Sequence, residues 1–256
     1  MEKQKQYYYA YSQYLKDKYG EKVYKLPVNL PVTCPNKKDG KGCLFCAEAG
    51  TGFEASDSAV SVFEQLAASR TKVEKRYHAH KFIAYFQNYT NTFLPLDRLL
   101  GYMEEASKVE DIVEISISTR PDCIRQDYLE AFYEFSSRTG IEVSIELGLQ
   151  TVNYHTLMEM NRGHGLAEFI DAVLRIAPYH FPVCVHMILN LPGDTMDDAK
   201  ESARILSALP ISMVKLHSLY IPKQCELYDK YIRGEIEICP KEEYLNRLTE
   251  FIALLR

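Results

Sequence analysis

Three cysteines stand close together early in the chain, Cys34, Cys43 and Cys46, within the segment TCPNKKDGKGCLFC. Their spacing is Cys-x8-Cys-x2-Cys, and they follow a strand-like run over 22–30, which puts the thiols on a loop at a strand end. Three thiolates can hold three irons of a cubane [4Fe–4S] cluster and leave the fourth iron open to a small molecule. A molecule bound there is placed to receive an electron. A structural zinc site is the competing chemistry. Zinc takes four ligands, usually as close pairs; only Cys43 and Cys46 form one, so His78 or His80 would have to complete the set. An electron-transfer ferredoxin needs a fourth cysteine per cluster. The other cysteines, Cys123, Cys184, Cys225 and Cys239, lie far off in sequence. Cys184 reads as core, and Cys225 as a small apolar side chain or a second reactive thiol.

Hydrophobic periodicity predicts the elements that must position this loop. Strands are expected over 22–30, 81–88, 111–119, 141–149, 183–191 and 213–221. Helices are expected over 3–19, 56–70, 96–109, 126–138, 154–161, 166–177 and 195–208, with a last one opened by Pro240. Gly140 marks a helix stop, and Thr195 with Asp198 forms a capping box. Such alternation argues for a parallel sheet with right-handed crossovers, and the nearly continuous apolar runs suit strands buried on both faces. The fold class is α/β, a partial (β/α)6 TIM-like barrel of parallel strands with flanking helices; a flat doubly wound sheet is the alternative. Tyr7, Tyr8, Tyr11, Tyr14, Leu15 and Tyr19 align on one face of the first helix, which reads as a cover over one end of the domain.

In a parallel barrel the reactive groups gather at the C-terminal ends of the strands. After the first strand come the cysteines, and after the second the polar run Gln87 to Thr92, with Tyr89 and Asn91 in it. Arg120 follows the third. The fourth carries Glu146 and Gln150, and beyond it Arg162 and His164. His186 and Asn190, then Leu191 and Gly193, belong to the fifth, and Lys215, His217 and Tyr220 to the sixth. This recurrence at one end predicts a common mouth.

The cysteine loop after a first strand, with Phe45 before its last cysteine, resembles the radical S-adenosylmethionine (SAM) superfamily. Its long first gap is similar to the elongator-like and oxygen-independent coproporphyrinogen oxidase-like branch, and the chain looks throughout like the bacterial YhcC/YtqA family. The resemblance implies a [4Fe–4S] cluster on Cys34, Cys43 and Cys46, with SAM on the open iron. Reductive cleavage would release a 5′-deoxyadenosyl radical that abstracts hydrogen from substrate. It further implies Gln87 near the SAM amine, Glu146 and Gln150 at the ribose, and Phe45, Leu191 and Gly193 around the adenine. Arg162 suits the methionine carboxylate as a bidentate fork, or is a surface arginine at a helix end. Tyr89, Asn91, Arg120, His164, His186, Lys215 and His217 are left for a substrate, and their cationic or switchable character points to an anionic group. No catalytic residue is assigned.

The chain has 256 residues, 46% hydrophobic and 25% charged, enough for one sizeable core. The division expected is a tyrosine-rich helix over 1–20 and a core barrel over 21–256, with a further C-terminal segment beyond Arg256. A net charge of −5 supplies no overall basic field, so a nucleic-acid partner would need a local patch. Seven scattered cysteines make no disulfide scaffold. The opening residues are polar and aromatic, and no apolar run is long enough to span a membrane, so a cytoplasmic protein is expected. The function expected is modification of a transfer-RNA wobble-uridine side chain of the carboxymethylaminomethyl type. Its partners would be tRNA and a reductase, flavodoxin- or ferredoxin-type electron donor. The alternatives are a radical SAM enzyme acting on a small metabolite or peptide, and a non-catalytic zinc-stapled RNA-binding protein.

Overall fold

The computed structural model describes residues 7–38, 40, 42–46 and 56–256. Six parallel strands pair in chain order: β1 (Val23–Val28), β2 (Lys81–Phe86), β3 (Ile112–Thr119), β4 (Glu142–Gln150), β5 (Val183–Ile188) and β6 (Met213–His217). The helices are α1 (Tyr11–Tyr19), α2 (Pro35–Lys38), α3 (Val62–Tyr77), α4 (Leu96–Ser107), α5 (Gln126–Thr139), α6 (Tyr154–Glu159), α7 (Leu166–Ile176), α8 (Met196–Ser207), α9 (Glu226–Ile232) and α10 (Lys241–Leu254).

The sheet is curled. On a flat sheet with strands about 4.8 Å apart, β1 and β4 would be separated by roughly 14 Å and β2 and β6 by roughly 19 Å. Yet Lys25 of β1 is ion-paired with Glu146 of β4, and Lys215 Nζ of β6 lies 5.3 Å from the ring centroid of Tyr85 in β2. The expected partial barrel is therefore the fold, and the flat doubly wound sheet is not. β1 and β6 are the edges of the sheet, and Pro27, which cannot donate to a ladder, stands in edge strand β1.

Alternation along each strand sorts the side chains. Phe82, Phe86, Ile115, Ile117, Val143, Ile145 and Val185 face the helices, where they pack with Leu66, Leu99, Phe132 and Phe169 in the main core. The inward face departs from the nearly continuous apolar runs expected. Glu114, Ser116, Ser118, Ser144 and Glu146 are buried there, with His186 beside them. Burial on both faces holds for β2 to β5, whereas the edge strands β1 and β6 are only partly buried, and the lumen is not apolar. The polar residues survive burial because they satisfy one another: Ser144 Oγ donates to Glu114 at 2.5 Å, and Ser116 Oγ to Glu146 at 3.1 Å.

The first helix closes the end where the strands begin. Leu15 packs with Val23 and Ile83, flanked by Tyr11, Tyr14 and Tyr19, while the Tyr19 hydroxyl lies 2.8 Å from Glu114 and 2.7 Å from Glu142. The helix is shorter than expected: it starts at Tyr11, Tyr7 and Tyr8 precede it and are exposed, and residues 3–6 lie outside the described residues. The second predicted helix is also displaced, to Val62. Ser61 and Glu64 close a capping box there, so Ala59 stands before the helix and Phe63 turns outward. Helices α2 and α9, of 4 and 7 residues, are too short for periodicity to reveal.

Candidate functional site

The cysteine loop leaves the end of β1 and is templated by a second loop, Met160 to Gly163, between α6 and α7. Cys34 precedes the α2 turn, its carbonyl accepting from the amides of Lys37 and Lys38, with Pro35 at the first helical position. Cys43 and Cys46 are joined by a tight turn, Cys46 N–H donating to the Cys43 carbonyl at 3.0 Å. The Asn161 amide donates to the Gly42 carbonyl at 2.7 Å, and the Leu44 amide to the Met160 carbonyl at 3.0 Å. Asn36 returns a bond to the Asn161 carbonyl, and its amide nitrogen lies 3.5 Å from Cys43 Sγ. Gly163 has φ +74°, and a Cβ there would stand 2.3 Å from Asn36 Oδ1, so only glycine lets the loops meet.

Two buried guanidinium groups reach the sulfurs. Arg120 donates to Cys34 Sγ at 3.6 Å and Arg162 to Cys43 Sγ at 3.4 Å. Burial alone would raise the Cys34 thiol, but the Thr90 hydroxyl and the Arg120 charge bring it below the ordinary value. Burial pushes Cys46 up, with the two neighbouring cysteines adding to it and Lys37 opposing. All three thiols line one cavity of about 160 Å³. Phe45, Gln87, Tyr89, Arg120, Glu146, Gln150, Arg162 and His186, all expected at a site, line it too. Gly148 and Gln150 sit at a register shift at the end of β4, and Gln150 takes φ +80°. A Cβ on Gly148 would be 2.6 Å from the Arg162 guanidinium, so that glycine makes room for the arginine.

Below the thiols, the lumen carries a chain of polar contacts around one ionised carboxylate. Glu146 accepts from His186 Nε2 at 2.6 Å, and His186 Nδ1 lies 3.2 Å from His217 Nε2. Burial opposes ionisation of Glu146, but the His186 hydrogen bond and the charge of Lys25 hold its pKa well below the carboxylate range. Burial lowers His186, and it lowers His217 to about 4 with His186 and Lys215 adding to it, so both rings are neutral near pH 7. Ligand atoms of Glu146, Cys184 and His186 fall within 4.8 Å of one another. Lys25 already occupies the carboxylate, however, and burial raises the Cys184 thiol to about 12, which suits a salt-bridged lumen better than a metal.

Other expected residues stand apart from the cavity wall. Asn91 is fully buried and brackets two strand ends, donating to the carbonyls of Phe86 and Ser118 at 2.8 Å each. His164 is held by the Gly148 and Gly165 carbonyls, and burial and Arg162 lower it to about 4. Leu191 packs with Leu44, Cys225 and Leu227 beneath the loop, with Phe45 against them, and Gly193 backs onto Thr156. Lys215 and His217 are off the cavity wall but touch it, Lys215 Nζ lying over the Tyr85 ring and His217 Nε2 lying 3.2 Å from His186 Nδ1. His78 and His80, the residues a zinc site would need, stand at the start of β2, the opposite end of the sheet from the thiols. Sequence reasoning missed Lys25, for which the available signal was a lysine inside the strand VYKLPV; Cys184, read as core, is buried.

Among the described residues, no helix is long and apolar enough to cross a membrane. The profile of the Radical SAM superfamily matches residues 28–206, and that of the Radical_SAM C-terminal domain matches residues 211–256. The uncharacterized protein YtqA of Bacillus subtilis is 31% identical over 252 residues, 97% of this chain and 77% of YtqA. A tRNA uridine(34) acetyltransferase of Methanocaldococcus jannaschii is 26% identical over 149 residues, 55% of this chain and 27% of that protein. The structure of an N-terminally deleted Elp3 from Methanocaldococcus infernus superposes with a TM-score of 0.68 at 18% identity, covering 90% of this chain and 53% of that one. The chain thus spans about half of that solved structure and shares its fold. With its profile match over most of the half-barrel and a relative above 30% identity along nearly its whole length, the chain belongs to the radical SAM superfamily.

Proposed function

We propose that Cys34, Cys43 and Cys46 ligate the [4Fe–4S] cluster that superfamily membership implies, and that the chain modifies the side chain of a uridine in transfer RNA. The donor set fits such a cluster: three soft thiol ligands line one cavity, with two cationic groups beside them. The observation that carries the reading is Arg162. It is buried at the cysteines, and among the described residues its Nε has no hydrogen-bond partner. A buried guanidinium N–H without an acceptor is costly, and the carboxylate of SAM is the acceptor its planar fork suits. Bound and reduced, the cluster and SAM together supply a 5′-deoxyadenosyl radical.

The residues around them orient and exclude. Gln87 and Gln150 line the cavity as amide groups able to meet amine and hydroxyl partners. Phe45 offers an aromatic face beside the thiols, and α1 closes the far end of the lumen. The tRNA reading is supported by the likeness to a tRNA uridine(34) acetyltransferase over part of the barrel. Electrons would come from a flavodoxin- or ferredoxin-type donor.

Anaerobic reconstitution with iron and sulfide, followed by dithionite and SAM, is expected to yield 5′-deoxyadenosine. Its formation by Cys43→Ala would remove the ligand assignment. Nucleoside mass spectrometry of tRNA from a deletion strain is expected to show a wobble uridine lacking its final modification. An unchanged nucleoside profile would discard the tRNA substrate.

A further inference from the structure

We infer that Arg120 and Asp122 form an oriented ion pair that sets the reduction potential of the cluster through Cys34, an inference that rests on Cys34 being a ligand. Arg120 turns one edge of its guanidinium to Asp122, Nε to Oδ1 at 2.9 Å and Nη2 to Oδ2 at 2.7 Å. Nη2 also donates to the Gly163 carbonyl at 3.1 Å. The remaining nitrogen, Nη1, points to Cys34 Sγ at 3.6 Å. Arg120 is 4% exposed, so little solvent screens it. Its hydrogen bonds fix the direction of the pair: the positive end meets the sulfur and the carboxylate lies behind it.

Reducing a cluster by one electron adds negative charge to the cluster and its ligand sulfurs. A cation that hydrogen-bonds a ligand sulfur stabilises the reduced state more than the oxidised one, so it raises the potential. Asp122 tempers that effect from the far side. The two residues therefore act with opposite sign, whereas a merely structural contribution would make both variants fail alike. Arg120 is a positioning and tuning residue here, not a catalytic one. Its hydrogen bonds are largely taken by Asp122, Gly163 and Cys34, leaving little capacity for a substrate.

The test is an anaerobic redox titration of the reconstituted chain without SAM, followed by electron paramagnetic resonance of the reduced cluster. Arg120→Gln is expected to shift the midpoint negative, with a tenfold fall in the reduced-to-oxidised ratio at the wild-type midpoint, which is 59 mV for one electron. Arg120→Lys is expected to retain most of the wild-type value, and Asp122→Asn to shift the midpoint positive. An Asp122→Asn midpoint that is unchanged or more negative overturns the inference, as does an unmoved midpoint in a fully iron-loaded Arg120→Gln. A wild-type chain that assembles no cluster overturns the proposed function with it, whereas an assembled but insensitive cluster overturns this inference alone.

Discussion

Lys25 and Glu146 are ion-paired across the lumen although two strands lie between theirs in the sheet. The Glu146 side chain is fully buried and that of Lys25 is 22% exposed, so the pair couples the curl of the sheet to the charge state of its interior. Lys25→Ala would remove the ion pair and leave the carboxylate with its hydrogen bonds from His186 and Ser116 and the more distant charge of Lys215. Losing one partner of a buried pair costs up to about 5 kcal/mol. Because Lys25 is partly exposed, a loss of roughly 1–3 kcal/mol is expected by denaturant unfolding. In a double-mutant cycle, Lys25→Met with Glu146→Gln should recover part of that loss. Strict additivity of the two single changes would show that the pair contributes nothing.

Gly163 should be intolerant of any side chain. Alanine there faces both a positive φ and a Cβ contact of 2.3 Å with Asn36 Oδ1 and 3.0 Å with Arg120. The relief open to the chain is for the cysteine loop to lift away from Met160 to Gly163, breaking its hydrogen bonds there while the main core of the barrel stays packed. Gly163→Ala is therefore expected to keep a native circular dichroism spectrum and lose roughly 1–3 kcal/mol. It should bind much less iron and sulfide after reconstitution. Full iron loading would show that the second loop does not template the first.

Acid should weaken the fold before most carboxylates titrate. Burial holds His164 and His217 at about 4 and lowers His186, against 6.5 for an ordinary histidine. Between these values the unfolded chain takes up protons that the native chain refuses. Stability thus falls as pH drops through this window and levels off below it. Asp194 has the opposite sign: burial raises it to about 6 from 3.8, so its contribution grows as pH falls. Burial raises Glu114 as well, so two carboxyls work against three imidazoles and offset only part of their effect. Denaturation midpoints are expected to decline from neutral pH towards about 4, and His217→Gln should flatten the decline. A midpoint that does not change across this range would contradict the buried neutral histidines.

Much of this was legible from the sequence because the outer half of each strand obeys simple rules. All six strands were recovered by their apolar runs, and the capping box at Thr195 and Asp198 forms as read. The cysteine spacing and the polar strand ends placed most of the cavity wall. What was not legible depends on pairs distant in sequence. A serine alternating with an isoleucine in β3 looks like ordinary strand chemistry until curling brings Glu146 and Lys25 together. Asn91 resembled a mouth residue, and its Nδ2 is spent on two backbone carbonyls from different strands while its Oδ1 has no partner among the described residues. Residue type indicates that a group can bind a ligand; only the fold shows which of its atoms are already taken.

Arg162 offers the sharpest separation of cluster from cofactor binding. Its Nη1 lies against Cys43 and its Nη2 donates to the Gly148 carbonyl, while Nε is left over. Replacement by lysine keeps a positive charge near the sulfur but removes the Nε donor, so the cluster should still assemble while a charge-assisted contact to the carboxylate is lost. A charge-assisted hydrogen bond contributes about 1.5–3 kcal/mol, which corresponds to a roughly 10- to 100-fold weaker affinity. Titration of SAM into the reconstituted Arg162→Lys variant is expected to show that loss in Kd with iron content near wild type. Unchanged affinity at full iron loading would leave Nε without a ligand and move the carboxylate site elsewhere on the cavity wall.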